Sequence, residues 1–547
     1  MLLHFIIFFL LILSILGFGI FLERKIYNSS NINTTSLGYT GLLGILIFSI
    51  ISYFLNFINF NNYNLTNLII LLSGLIIFLI NIKNFNFNSW KILIIVIALT
   101  FFSILIGKPH DDFHYYHFPY VHYILESDLM LGIGHLNHGF RTPSSIFYLN
   151  ALFNYSFTNF STFHFGAAFY FFFFNILIID KIYFYKKYGF NKLLIFSLLI
   201  FAFVNVFFYR LSEHGTDRSA QILSLILFLD LIHLNFIEKN NHELLKRNIF
   251  YLFIVTSLII GLKAFYLLYL IFGLILISIL YKQFKFSLIK TFKLIFTNVG
   301  FIFFCINIIF IFLVYITNTG CILYPISFTC ISSLSWSIPF DQVVEMNNWY
   351  ELWSKGGASP TFRVSNPDQY IVGLNWLSNW IQVYFFNKVS DFLLGLIILI
   401  LFVKYFFNLK FELNKKNYNL LIFFVFLLLL EWFWNHPALR YGGYSLFAGL
   451  IFIIFANNFN FYQINIKKLS YKVSVFLSIV AIIFFSRNTN RLYKEIKQYD
   501  YNPLKEFSYK ISDEDFRVLK RIKSIEEGRD KKFQKFEYLN LKYIKSK

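Results

Sequence analysis

The sequence predicts an all-α, polytopic integral membrane protein, and three observations carry that prediction. Of its 547 residues, 57% are hydrophobic and only 14% are charged, whereas soluble domains carry about a quarter charged residues. Apolar runs of roughly 20 residues, enough to cross a bilayer, recur about fourteen times. Lysines and arginines gather in alternate short loops between those runs, the pattern of a topology signal rather than of a nucleic-acid surface, despite a net charge of +20.

The runs lie near 2–22, 38–58, 65–82, 92–107, 161–180, 193–209, 219–237, 248–261, 264–281, 294–316, 390–409, 418–434, 443–456 and 473–486. The first is long and has no basic segment before it, so it reads as a membrane helix rather than a cleavable leader. The pair around Lys263 is one long helix or two, broken at "GLKAF". Basic loops (Arg24 and Lys25; Lys83 and Lys91; Lys181 to Lys192; Lys239 to Arg247; Lys282 to Lys293; Lys415 and Lys416; Lys467 and Lys468) keep one phase and are expected on the cytoplasmic side. Loops 108–160, 210–218, 317–389 and 435–442, with the region at Lys263, then face outward. The organisation is a polytopic domain, 1–486, and a basic helical tail, 487–547. In the tail a helix is expected from Ser512, with Asp515 as capping partner and Phe516, Leu519, Ile522 and Ile525 on one face suited to a membrane surface or to packing as an appendage. Cys321 and Cys330 share an outward loop and can pair in an oxidising compartment.

The outward loops hold most of the titratable groups that are not topology markers, and such groups near a membrane tend to mark function. "GKPHDDFHYYHFPYVHYILESD" sets Asp111 and Asp112 at the end of the fourth run, where one of two adjacent carboxylates is suited to act as a base. His110, His114, His117 and His122 have helical spacings able to ligate a metal, but lone hydrogen-bonding histidines are the commoner outcome. No metal-ligand set is assigned. The aspartates are also able to take a divalent ion, although nothing in the pattern singles one out. "LGIGHLNHGFRTPSSIFYLNALF" reads as a re-entrant or interfacial helix preceded by Arg141, a phosphate ligand or an interfacial anchor. "YRLSEHGTDRSAQIL" places Glu213, His214, Asp217 and Arg218 at a helix start, with Thr216 or Asp217 as its cap. Lys263 stands alone in apolar sequence and reads as a buried cation facing a polar cavity. The loop holding Trp336, Trp349, Tyr350 and Trp353 suits a headgroup-level or carbohydrate surface, and His436, Arg440 and Tyr441 occupy a short turn where a guanidinium can hold a phosphate bidentately.

These stretches resemble the GT-C glycosyltransferases, a superfamily that includes protein O-mannosyltransferases and the bacterial transferase that adds aminoarabinose to lipid A. They are more closely similar to a group of bacterial polytopic proteins sharing four features. Those are an Asp-x3-Tyr-His motif (here Asp112, Tyr116 and His117), a Gly/Asn/Arg stretch ending in Ser-Ser-x-Phe (Gly134 to Phe147), a Tyr-Pro loop rich in Trp (Tyr324-Pro325), and a Pro-x-x-Arg-(Phe/Tyr)-Gly turn (Pro437, Arg440, Tyr441, Gly442). The resemblance spans most of residues 100–450. It departs at Asp111-Asp112, where many members have Asp-Glu, so the base is Asp112 by motif spacing or Asp111 by position. It departs again in the three runs ahead of the helix that leads into the motif, where many members have one.

The resemblance implies an inverting GT-C-type enzyme. It would move a sugar from a polyprenyl-phosphate donor to an envelope glycan, lipid or protein on the outer side of an inner membrane. Asp112 or Asp111 would be the base, Arg440 and Lys263 would hold the donor phosphate together with Arg141 and Arg218, and Tyr116, His117, Glu213, His436 and Tyr441 would line the substrates. The alternative is a transporter or flippase of lipid-linked glycans, against which stand the lack of an internal repeat and the position of most charges at the ends of runs. An envelope polymerase or ligase is a third reading, and it has no need of an early acidic pair.

Overall fold

Every one of the fourteen apolar runs falls on a helix in the structure, a computed structural model that describes residues 1–546 other than 28–35, 60–62, 83–86, 109, 159, 212–214, 360–361, 413–417, 463–464, 506–510 and 539–540. The helices are α1 (Leu2–Tyr27), α2 (Leu37–Phe57), α3 (Tyr63–Asn81), α4 (Phe87–Ile104), α5 (Phe165–Tyr188), α6 (Asn191–Phe207), α7 (Thr216–Leu234), α8 (His242–Leu262), α9 (Ala264–Lys282), α10 (Val299–Thr319), α11 (Leu377–Phe407), α12 (Asn419–Asn435), α13 (Gly443–Asn458) and α14 (Ile466–Tyr499). Among the described residues nine of them, α1, α2, α3, α5, α8, α9, α10, α11 and α14, are long and apolar enough to cross a membrane. The chain is therefore a multi-pass helical membrane protein. In hydrocarbon a backbone must satisfy its own polar groups, which leaves helices as the way for such runs to cross.

Small residues let the helices approach closely, since lipid tails supply no hydrophobic drive between them. A Cβ on Gly17 of α1 would fall 2.0 Å from the carbonyl oxygen of Gly74 on α3, so that crossing admits only glycine. The charges that do enter the bundle are paired. Lys181 of α5 lies 3.0 Å from Asp230 of α7, which also accepts from the Tyr39 hydroxyl of α2, and the Tyr251 hydroxyl of α8 donates to Glu23 of α1. Unpaired, these groups would carry a desolvation penalty of several kcal/mol each, about the size of a domain's whole stability.

The chain breaks at Lys263, which is extended (φ −155°, ψ 113°) between α8 and the 3₁₀ start of α9. Segment 108–160 then supplies the most elaborate connection: a π-helical turn, Phe113–His117, a helix, Phe118–Glu126, a strand β1 (Met130–Leu131), and a helix, Ser145–Leu152. The last of these does not lie on a leaflet surface. All eight of its residues are buried, because its hydroxyls and carbonyls find partners inside the protein: Ser52 Oγ donates to Tyr148 O at 2.7 Å, and Ser144 Oγ donates to Leu262 O at 2.7 Å.

The tail also differs from the expectation. Residues 487–499 continue α14 instead of opening a separate unit, because the helix keeps a buried polar face at Asn488, Arg491 and Glu495. Arg491 donates to the carbonyls of Phe102 and Leu105 at 3.1 and 2.9 Å, and Glu495 accepts from Gly107 N at 2.8 Å. Beyond it Ser512 and Asp515 do form a capping box, and Leu519, Ile522 and Ile525 do share one face. That face is covered by protein rather than membrane: Phe516 packs against Phe118 and His122. Nor is the tail wholly helical. A hairpin, β2 (Phe533–Tyr538) and β3 (Leu541–Ser546), adds to β1 in parallel register, Met130 opposite Lys542 and Leu131 opposite Tyr543. Lys542 Nζ reaches Asp128 at 2.8 Å, and His114 Nδ1 lies 2.6 Å from Asp515. The tail thus sits on the same face as segment 108–160. Removing residues 512–546 is expected to raise deuterium uptake across 113–131 and leave α1 to α3 unchanged in hydrogen-exchange mass spectrometry; equal uptake in 113–131 would show that the tail does not brace it.

Candidate functional site

The connections at this face converge on one carboxylate. Asp217 enters in the first turn of α7 and is buried, with 7% of its surface exposed. The cap expected from Thr216 or Asp217 is absent: Gly215, at φ +58°, takes that position, and Asp217 is free to reach sideways. Lys263 Nζ donates to its Oδ1 at 2.7 Å and Arg440 Nε to its Oδ2 at 3.0 Å. The break between α8 and α9 is what presents Lys263, since an extended residue points its side chain away from both helices.

Arg440 is held by its turn. Trp380 Nε1 donates to Pro437 O and Trp432 Nε1 to Ala438 O, each at 2.9 Å, while Leu439 N donates to the Tyr384 hydroxyl at 2.8 Å. Gln221, one helical turn beyond Asp217, donates to Arg440 O at 2.9 Å. Gly442, at φ +99°, ends the turn in a conformation that a side chain would strain. The guanidinium lies 5.4 Å from the Trp353 ring and 5.6 Å from the Tyr441 ring, and Lys263 lies 5.6 Å from the same Tyr441 ring. Burial opposes the charge on Arg440, but the groups around it, Asp217 foremost, together more than offset that effect, and its pKa is raised.

Asp112 meets this cluster from the other side. Its Oδ2 lies 3.5 Å from Arg440 Nη2 and 3.7 Å from His110 Nδ1. The π-helical turn explains the placement: Asp112 O accepts from both Tyr116 N and His117 N, and the widened ring returns His117 over His110, their planes 14° apart and centroids 5.5 Å apart. Burial depresses the pKa of both imidazoles, that of His117 strongly, and His110 adds to the effect on His117. Tyr116 packs half-buried against Gly139, and burial raises its phenol, as it does that of Tyr441. A cavity of about 30 Å³ opens beside His110 and His117, lined further by Phe147, Asn150, His164 and Thr216.

The structure therefore brings together Asp112, Lys263, Arg440, His117, Tyr116 and Tyr441. It leaves others apart. Asp111 is exposed, so of the two carboxylates Asp112 alone reaches the cations. Arg141 is spent on its own loop, donating through Nε to Gly134 O at 2.9 Å and to the Tyr324 hydroxyl at 3.1 Å. Arg218 lies over the rings of Phe208 and Tyr444, away from Asp217 on the same helix. His436 contacts Tyr441 at a ring distance of 6.0 Å, and burial, aided by Lys355, lowers its pKa to about 4. Glu213 lies outside the described residues. The sequence offers Asp217 only as a helix cap and Trp353 only as part of a headgroup-level or carbohydrate surface, whereas the structure sets both against the cations. The signal for Asp217 was present in the two solitary cations, Lys263 and Arg440, since partly buried cations need a carboxylate within reach.

As chemistry, the site offers a carboxylate with one oxygen turned to a guanidinium, and two cations sharing one anion. Lys263, Arg440 and Asp217 together carry a net charge of +1, and Asp112 beside Arg440 brings the cluster to zero. Residues 1–447, which include all of these groups, match a domain family described as a domain of unknown function, DUF8201. None of the curated proteins matches the chain, and none of the solved structures does.

Replacing Asp217 by Asn leaves two partly buried cations without their counter-charge. Breaking a fully buried pair costs about 3–5 kcal/mol. Lys263 and Arg440 keep 25% and 35% of their side chains exposed, so a loss nearer about 2 kcal/mol is expected. It is read as a lower thermal unfolding midpoint in nanodiscs beside an unshifted Asp111→Asn control.

Proposed function

The chain belongs to the DUF8201 family, and we propose that it is a GT-C-type inverting glycosyltransferase. It takes a sugar from a polyprenyl-phosphate donor to an envelope glycan, lipid or protein acceptor on the outer side of an inner membrane. The observation that carries this reading is the approach of Asp112 to Arg440 within 3.5 Å, beside Lys263, on the face where segments 108–160, 317–389 and 435–442 meet. The resemblance of the four motifs to GT-C proteins supports it. So does a multi-pass helical fold, in which the sequence expects fourteen spans with basic loops on the opposite face. The Cys321–Cys330 disulfide in segment 317–389 suits an oxidising compartment.

In this reading Arg440 and Lys263 bind the donor phosphate and stabilise the charge that grows on it as the sugar departs. Asp112 accepts the proton of the acceptor hydroxyl, whose oxygen attacks the anomeric carbon from the side opposite the phosphate, and the configuration inverts. Neutral His117 and Tyr116 shape the wall beside Asp112 without adding charge. Tyr441 and Trp353 present ring faces over the cations, where a pyranose fits between aromatic wall and phosphate clamp. Arg141 and Arg218 act through the fold.

Purified protein in nanodiscs, incubated with a panel of polyprenyl-phosphate sugars and an envelope glycolipid fraction, is expected to release polyprenyl phosphate, followed by mass spectrometry. Asp112→Asn should lower the rate by about 10²–10⁴-fold, the span of general-base catalysis, and Asp111→Asn should leave most of it. Folded wild-type protein that turns over no donor, or equal effects of the two substitutions, would sink the reading and favour a flippase.

A further inference from the structure

The histidines that flank Asp112 have a use of their own. A ring nitrogen of His110, an Asp112 oxygen and a ring nitrogen of His117 all lie within 4.8 Å of one another. We propose that His110, Asp112 and His117 form a binding site for a divalent transition-metal ion of the zinc class.

Four features of the structure lead there. The first is the backbone: the π-helical turn sets Asp112 and His117 one wide ring apart, so both side chains leave the same face and meet His110, which precedes them. A regular turn of 3.6 residues would have carried His117 round the helix. The second is distance. Metal bonds of about 2.0–2.1 Å place tetrahedral donors roughly 3.4 Å apart. The His110–Asp112 pair stands at 3.7 Å already, so the site closes by small side-chain rotations.

The third is the state of the donors. Among the described residues the half-buried His117 has ring contacts but no hydrogen-bond partner, which leaves a ring nitrogen open to a ligand. His110 Nδ1 accepts the Asp112 backbone N–H at 3.1 Å, and a metal taking that lone pair replaces this hydrogen bond. The fourth is charge. Arg440 would repel an incoming cation were Asp112 its sole partner, but Asp217 holds it more closely, at 3.0 Å against 3.5 Å. Asp112 is thus able to turn from guanidinium to metal without leaving Arg440 unpaired.

Two imidazoles in a set of three select against magnesium and calcium, which take oxygen ligands, and suit zinc, cobalt or nickel. Three protein donors leave a coordination position open for an exchangeable oxygen ligand. The site is argued from its own ligands and does not rest on sugar transfer. The two roles of Asp112 are compatible: Oδ2 faces His110 and Arg440, and Oδ1 is left for a hydroxyl.

The test uses the full chain without a polyhistidine tag, purified in detergent, stripped with chelator and dialysed against Co²⁺ or Zn²⁺. Wild type is expected to take up one ion per chain, read by plasma mass spectrometry and by the visible absorption of bound Co²⁺, with Mg²⁺ failing to displace it. His117→Gln and His110→Gln should each weaken binding by more than about tenfold. Either variant is sufficient if its metal-free melting midpoint matches that of metal-free wild type. Wild type that takes up no ion at micromolar Zn²⁺, or folded variants that bind as well as wild type, overturns the proposal. Uptake is measured with no sugar donor present. Protein that binds Zn²⁺ and turns over no donor therefore refutes sugar transfer alone, and protein that transfers sugar but takes up no ion refutes the metal site alone.

Discussion

The shared carboxylate of Asp217 is the interaction on which the rest of this face depends. It draws together a lysine exposed by a helix break and an arginine held in a turn between α12 and α13. The two cations come from positions 177 residues apart, and neither is stable at membrane depth alone. With the carboxylate between them they form a unit of low net charge that can sit under aromatic rings, half out of water. Much of the surrounding structure fixes the geometry of that unit. Gln221 and three aromatic side chains, Trp380, Tyr384 and Trp432, hold the Arg440 turn, and Ser144, the cap of the Ser145–Leu152 helix, holds the carbonyl beside Lys263.

What the sequence makes legible follows from which forces act locally. The helical runs are readable because hydrocarbon demands a length and a composition that few other segments have. Asp112, Lys263 and Arg440 are readable because each is a charge where charge is costly. The break at "GLKAF" was left open because residue types do not say whether a lone lysine interrupts hydrogen bonding; here it does. Asp217 was hidden because an acidic residue at the start of a helix already has an ordinary explanation, and only its partners, both remote in sequence, reveal another.

The other differences have the same origin. The Ser145–Leu152 helix is apolar with a few hydroxyls, a pattern that serves either at a leaflet surface or inside a protein, and the choice is made by Ser52 and Leu262 from elsewhere in the chain. The hairpin of the tail reads weakly because "FQKFEY" alternates imperfectly and its pairing partner, β1, is two residues long. Arg141 and Arg218 look like Arg440 in isolation. A carbonyl and a tyrosine occupy the first, and two rings lie under the second.

That pairing of β1 with the hairpin sets an order of events during biosynthesis. A two-residue strand has no independent stability, and the strand that completes it lies more than 400 positions later, beyond the residues that define the family. Segment 108–160 therefore reaches the face early, with α1 to α4 behind it, and waits through the synthesis of ten further helices. It takes its final shape once residues 533–546 have left the ribosome and arrived on the same side. Until then Asp112 sits in an unfinished loop, and a chain cut short during synthesis would have the groups of the site without their arrangement.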